Sequence, residues 1–118
     1  MIEQLVSKVF FTRDLSHLEH WRTQNGEVHR ALGDFYDGVI GELDGIVECY
    51  QGTFGLIGAV VLSTSVSAQT ITDHLVSERD WIRDNRTKIA RNDSSLGNLL
   101  DNLTALYSKT IYKLQNLH

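Results

Sequence analysis

Proline is absent from the 118 residues. The strongest helix breaker is therefore missing, and long uninterrupted helices are easy to accommodate. A single cysteine, Cys49, excludes an intrachain disulfide; it suits a reducing compartment and reads as a core thiol. Positive charge is not in excess, since 11 Lys and Arg stand against 15 Asp and Glu for a net charge of −4. No basic cluster lies at either end, so no DNA partner is expected. A long hydrophobic run is also missing. The stretch Cys49 to Thr72 carries no charge, yet its continuous apolar part, Phe54 to Leu62, is about half of the roughly 20 residues that a membrane span needs. A buried crossover connection is expected there, and no membrane partner. The opening Met-Ile-Glu-Gln lacks the basic start and apolar run of a secretory signal, so a cytoplasmic location is expected.

What is there suits one globular domain over residues 1–118, with 42% hydrophobic and 22% charged residues. Apolar periodicity predicts four helices, an all-α class. The first, over about Ile2 to Gln24, sets Ile2, Val6, Val9, Phe10, His17 and His20 along one side. Asn25-Gly26 reads as its stop. The second, over about Glu27 to Gln51, carries the stripe Leu32, Phe35, Val39, Leu43, Ile46, Val47 and Tyr50, and ends at Gly52 and Gly55. The third runs over about Thr70 to Arg91 on Ile71, Leu75, Trp81, Ile82 and Ile89. The fourth runs over about Ser94 to Leu117 on Leu96, Leu99, Leu100, Leu103, Leu106, Tyr107, Ile111 and Leu114, with N-cap chemistry in Asn92-Asp93-Ser94-Ser95. The first and last connections are short, so those pairs should be antiparallel hairpins. The middle one, roughly 18 residues, suits the long crossover of a ferritin-like four-helix bundle and has room for one short helix.

Gly33, Gly38, Gly41 and Gly45 lie within the second helix, each costing up to about 1 kcal/mol relative to Ala. Close approach of another helix would offset that cost; a bent or interrupted helix is the alternative. Asp44 and Glu48, at i and i+4, share one helical face and could present two carboxylates to a cation. Such a pair is often only a solvated face, and His20 alone could be a satisfied core imidazole. Together with His29, however, these residues form an imidazole–carboxylate set of the kind that binds iron, zinc or manganese. His29 and Asp44 are about 22 Å apart along one helix, too far for a single ion with ligand bonds near 2 Å. A two-fold dimer with antiparallel second helices brings each histidine end to the partner's carboxylate end. His17 reads as a neighbour that orients a ligand, and His74/Glu78 as a surface contact. Trp21 is either a core anchor or an oxidisable group beside the metal, and Asp34/Asp37 either serves a second ion or is solvated. The last two helices offer no Glu-x-x-His, which argues against a di-iron centre inside one bundle.

His20-Trp21, His29 and Asp44-Gly45-Ile46-Val47-Glu48 resemble the ferroxidase signature of the Dps group of small ferritins. The resemblance covers about residues 5 to 52 and extends weakly beyond, where Asn92 to Leu100 is similar to that family's junction between its last two helices. It implies His20 and His29 as iron ligands from one chain, Asp44 and Glu48 as ligands from its mate, and Trp21 as the adjacent aromatic. It also implies Fe(II) oxidation, preferentially by peroxide, and storage of Fe(III) in a homo-oligomeric, dodecameric shell. Three departures stand out. The histidines are closer in sequence by about one helical turn, Gly33 replaces an acidic residue, and no basic tail is present. Compact chains of this kind also resemble bacteriophage-encoded members, which admits a virion location. The alternatives are a non-enzymatic helical assembly or virion protein with a structural or vestigial metal, and an interaction module whose polar cluster is an interface network.

Overall fold

The computed structural model describes residues 1–63 and 69–118. The described residues form four helices and no strand: α1 (Ile2–Arg22), α2 (Gly26–Phe54), α3 (Ile71–Ala90) and α4 (Ser94–Asn116). Each boundary follows local chemistry. Asn25 is the N-cap of α2, its side chain accepting from the Glu27 and Val28 amides, so the Asn-Gly pair starts the second helix rather than stopping the first. Thr70 caps α3 through the Asp73 amide and Asp93 caps α4 through the Leu96 amide. Gly55, at φ 103°, ends α2 in a conformation that favours glycine. Gly52 does not interrupt that helix, and the four interior glycines leave it continuous.

The protein is an all-α four-helix bundle in which α1 packs on α2 and α3, and α4 packs on the same two. The contacts Thr12–Glu78 and Lys8–Trp81 run α3 antiparallel to α1. Those of Arg86–Asp101 and Arg79–Ser108 do the same for α3 and α4. The helices α2 and α3 are therefore parallel and diagonal, which is why their connection is long. It runs lengthwise beside α1, with the Gly58 amide donating to Glu3 and the Ser7 hydroxyl donating to the Val61 carbonyl. Its described part contains no helix; residues 64–68 of the connection, which was expected to have room for one short helix, lie outside the described residues. The strap is not buried as expected, since Leu56 is 87% and Val61 85% exposed.

One core joins all four helices, from Leu5 and Val9 on α1 through Leu32, Phe35 and Ile46 on α2 to Leu75, Ile82, Leu100 and Tyr107. Each such residue contributes on the order of 1.5–3 kcal/mol through burial. Along α1 the core stripe is Ile2, Leu5, Val6, Val9, Thr12 and Ser16, so it turns polar in the second half of the helix. Phe10 lies outside it, 39% exposed. Cys49 is half-buried against the core.

Candidate functional site

The α1–α2 hairpin tip gathers five ring side chains. His20 and His29 stack with centroids 3.6 Å apart and planes 20° from parallel. They are also tied reciprocally: His20 Nδ1 lies 2.5 Å from the His29 carbonyl oxygen and His29 Nδ1 lies 2.7 Å from that of His20. A carbonyl oxygen can only accept, so both Nδ1 atoms carry hydrogen, and the neutral form of each ring has its lone pair on Nε2. Gly33 makes room for this pair, because a Cβ there would stand 3.0 Å from His20 Cε1. A side chain at position 33 would press on the His20 ring where it lies against α2.

His17 stacks on Tyr36 at 3.9 Å and touches the Trp21 ring at 4.5 Å. Tyr36 also meets the edge of His20 at 5.2 Å and lies under the Arg13 guanidinium. Trp21 is 66% exposed and is not a core anchor. It borders an open groove of about 330 Å³ with Arg13, Asp14, His17 and Leu18. Tyr36 was not among the residues singled out from sequence, although its place one helical turn beyond Gly33 and two beyond His29 on α2 was the available signal.

Asp44 and Glu48 project from the outer side of α2 and are exposed. Their side chains have no hydrogen bond or ion pair among the described residues. Gly41 and Gly45, beside them, have nothing within 4 Å of an added Cβ. The helix between Gly26 and Phe54 is unbroken, which keeps His29 about 22 Å from Asp44 within one chain. No group of three or more His, Cys, Asp or Glu among the described residues could hold a metal ion. The histidines are brought together, then, while the carboxylates stand apart from them.

The stack constrains what the imidazoles can bind. Each lone pair lies in its own ring plane, and the planes are nearly parallel. An ion about 2 Å from one Nε2 in that plane stands roughly 2 Å or more out of the other. The pair fits one imidazole per ion, with its neighbour holding it in place, and does not fit a two-histidine chelate without unstacking. Asp34 and Asp37 are exposed, and Asp34 lies 3.8 Å from Lys113 Nζ.

The His74/Glu78 pair, expected on the surface, is instead built into the bundle. Glu78 is 5% exposed. It accepts from the Thr12 hydroxyl and from Tyr107 Oη at 2.8 Å. Burial pushes its carboxyl up to about 7, against the hydrogen bonds from Thr12 and Tyr107 and the Lys8 charge. The same burial, with Glu78 beside it, raises the Tyr107 phenol well above its usual value. His74 Nε2 lies 2.7 Å from Thr12 Oγ1; burial and then Lys8 lower its pKa. The signal was in the phase of α3, since Glu78 falls on the Leu75–Ile82–Ile89 stripe.

Fold and site together define a four-helix bundle with a lengthwise crossover, an imidazole-rich hairpin tip and an unpaired carboxylate face. The chain belongs to DUF5856, a family of unknown function, whose model matches residues 20–114. No curated protein and no solved structure matches it. Among the described residues, no helix is long and apolar enough to cross a membrane.

Proposed function

We propose that this protein is a mini-ferritin subunit that binds and oxidises Fe(II) where the outer faces of two α1–α2 hairpins meet. The observation that carries this reading is the tautomer lock at the tip. With both Nδ1 hydrogens held by main-chain carbonyls, the neutral form of each imidazole has its lone pair on Nε2, the tautomer that a metal ligand needs. The exposed Asp44 and Glu48 carboxylates supply the hard oxygen donors that favour the ferric product. Peroxide accepts one electron from each of two Fe(II) ions and, with two protons, leaves as water. Residue roles then divide as His20 or His29 for the ferrous ion, the partner's Asp44 and Glu48 for its oxidised form, and Trp21 as the oxidisable neighbour. The shell, its dodecameric size and any virion location belong to the same proposal.

Anaerobic Fe(II) titration followed by peroxide, with ferric absorbance and particle mass recorded together, tests it. Rapid oxidation in a two-fold or larger particle is expected, and its loss in the Asp44→Ala/Glu48→Ala double variant with helicity retained. A wild-type oxidation rate in that variant removes the assignment. The reciprocal hydrogen bonds of His20 and His29 favour a second reading, a non-enzymatic helical assembly in which the stack clasps the hairpin. Iron binding no better than that of His20→Ala, in a particle of undiminished mass, selects it.

A further inference from the structure

We propose that Glu78, Thr12 and His74 form a proton relay through the bundle wall, which makes the α1–α3 contact a pH-sensitive latch. The geometry is a chain of three groups. Glu78 is buried between α1, α3 and α4, Thr12 is fully buried, and His74 is half-buried with its ring edge-on to Phe11 at 5.9 Å. The Thr12 hydroxyl has one hydrogen and lies within bonding distance of both ends, so its direction must follow the charge on Glu78.

Two arrangements satisfy every group. With Glu78 ionised, Thr12 and Tyr107 both donate to it, and Thr12 Oγ1 accepts from His74 Nε2–H. With Glu78 protonated, its hydroxyl donates to Thr12, the Thr12 hydroxyl turns to His74 Nε2, and His74 carries its hydrogen on Nδ1. Passage between them moves the Glu78 proton to Thr12 and the Thr12 proton to His74 Nε2. The resulting imidazolium releases its Nδ1 proton to solvent. One proton leaves, no bond between heavy atoms changes, and His74 has switched tautomer.

The surroundings place this exchange near neutrality. From α1 the groups facing Glu78 are Thr12 and the Lys8 ammonium, from α3 His74, and from α4 the Tyr107 hydroxyl. Helix α2 contributes the Phe35 ring, edge-on to Tyr107 at 5.0 Å, and no titratable group that acts on Glu78. One neighbouring ammonium and two hydroxyls do not replace the lost hydration of a buried carboxylate. The negative state therefore weakens the contact of α1 with α3, and the α3 N-terminal turns should open more often.

The test is a pH titration of the full chain, with ¹³C at the Glu carboxyls and ¹⁵N in the His rings, read by NMR. Glu78 is expected to inflect about two pH units or more above the ordinary carboxylate value, with His74 Nε2 changing from acceptor to donor at that same pH. Thr12→Val should abolish the tautomer change at the Glu78 inflection, whereas Thr12→Ser should keep it. Simple electrostatic coupling would survive in Thr12→Val, so a persisting tautomer change there overturns the relay. An ordinary carboxylate inflection for Glu78 in the wild type overturns it as well, and that measurement needs no variant to fold.

Discussion

Two pairs at i and i+4, Asp44/Glu48 on α2 and His74/Glu78 on α3, have opposite fates. Asp44 and Glu48 sit among apolar residues in the sequence, yet both side chains are exposed. His74 and Glu78 sit among Asp73, Ser77, Arg79 and Asp80, yet Glu78 is buried with Thr12 and Tyr107. The apolar neighbours of a charged residue in sequence say little about its burial. Phase decides, because residues one apart are turned by about 100° around the helix. Glu78 is three residues after Leu75 and four before Ile82, on the buried stripe; Asp44 is one residue past the buried Leu43 and off that stripe.

The sharpest way to test this contrast is alanine at both places. At pH 5 the protonated Glu78 accepts from Tyr107 and donates to Thr12, so Glu78→Ala leaves each of them without that partner, at about 1–3 kcal/mol apiece. A loss of roughly 4 kcal/mol is expected in urea denaturation at pH 5. Asp44→Ala/Glu48→Ala, on an exposed face, should stay within about 0.5 kcal/mol of the parent. Equal losses at the two sites would erase the distinction between them.

The same carboxyl should make stability depend on pH. Its folded pKa, about 7, lies above the ordinary value of 4.5, so the folded state holds a proton that the unfolded state releases first. The unfolded chain binds fewer protons between these values, and stability falls as pH rises from about 4.5 to 7, levelling off above. The full span is on the order of 3 kcal/mol. Chemical denaturation of Glu78→Gln across that range should lack this fall, and a slope as steep as the parent's would assign it to another group.

The four helices were legible because their apolar residues recur at helical spacing, and the long crossover because two short connections flank it. Three features were not legible, for physical reasons. The Asn25-Gly26 pair suits either a stop or a start, and only the amides that meet the Asn25 side chain decide. The exposure of Trp21 depends on how far α1 extends past the core, which periodicity does not encode. The His20–His29 stack forms because the chain turns between Arg22 and Gly26, so the shortened junction places the two rings face to face.

A glycine comparison gives the finest test of the carboxylate face. At Gly33 an added Cβ would meet His20 at 3.0 Å, whereas at Gly41 it would meet nothing within 4 Å. Gly41→Ala should therefore gain up to about 1 kcal/mol from helix propensity in a single bundle. Gly33→Ala should gain less, since the His20 ring must move, and its His20 and His29 ring ¹⁵N shifts should change together. If a second copy seats its α2 against this one, the methyl group at Gly41 falls in the contact that the proposed function requires. Sedimentation then reads a weaker assembly from a more stable subunit, a combination that a solvent-facing helix cannot produce. Unchanged assembly in Gly41→Ala would move the two-fold contact away from this part of α2, and with it the route by which the histidine end of one chain reaches the carboxylates of another.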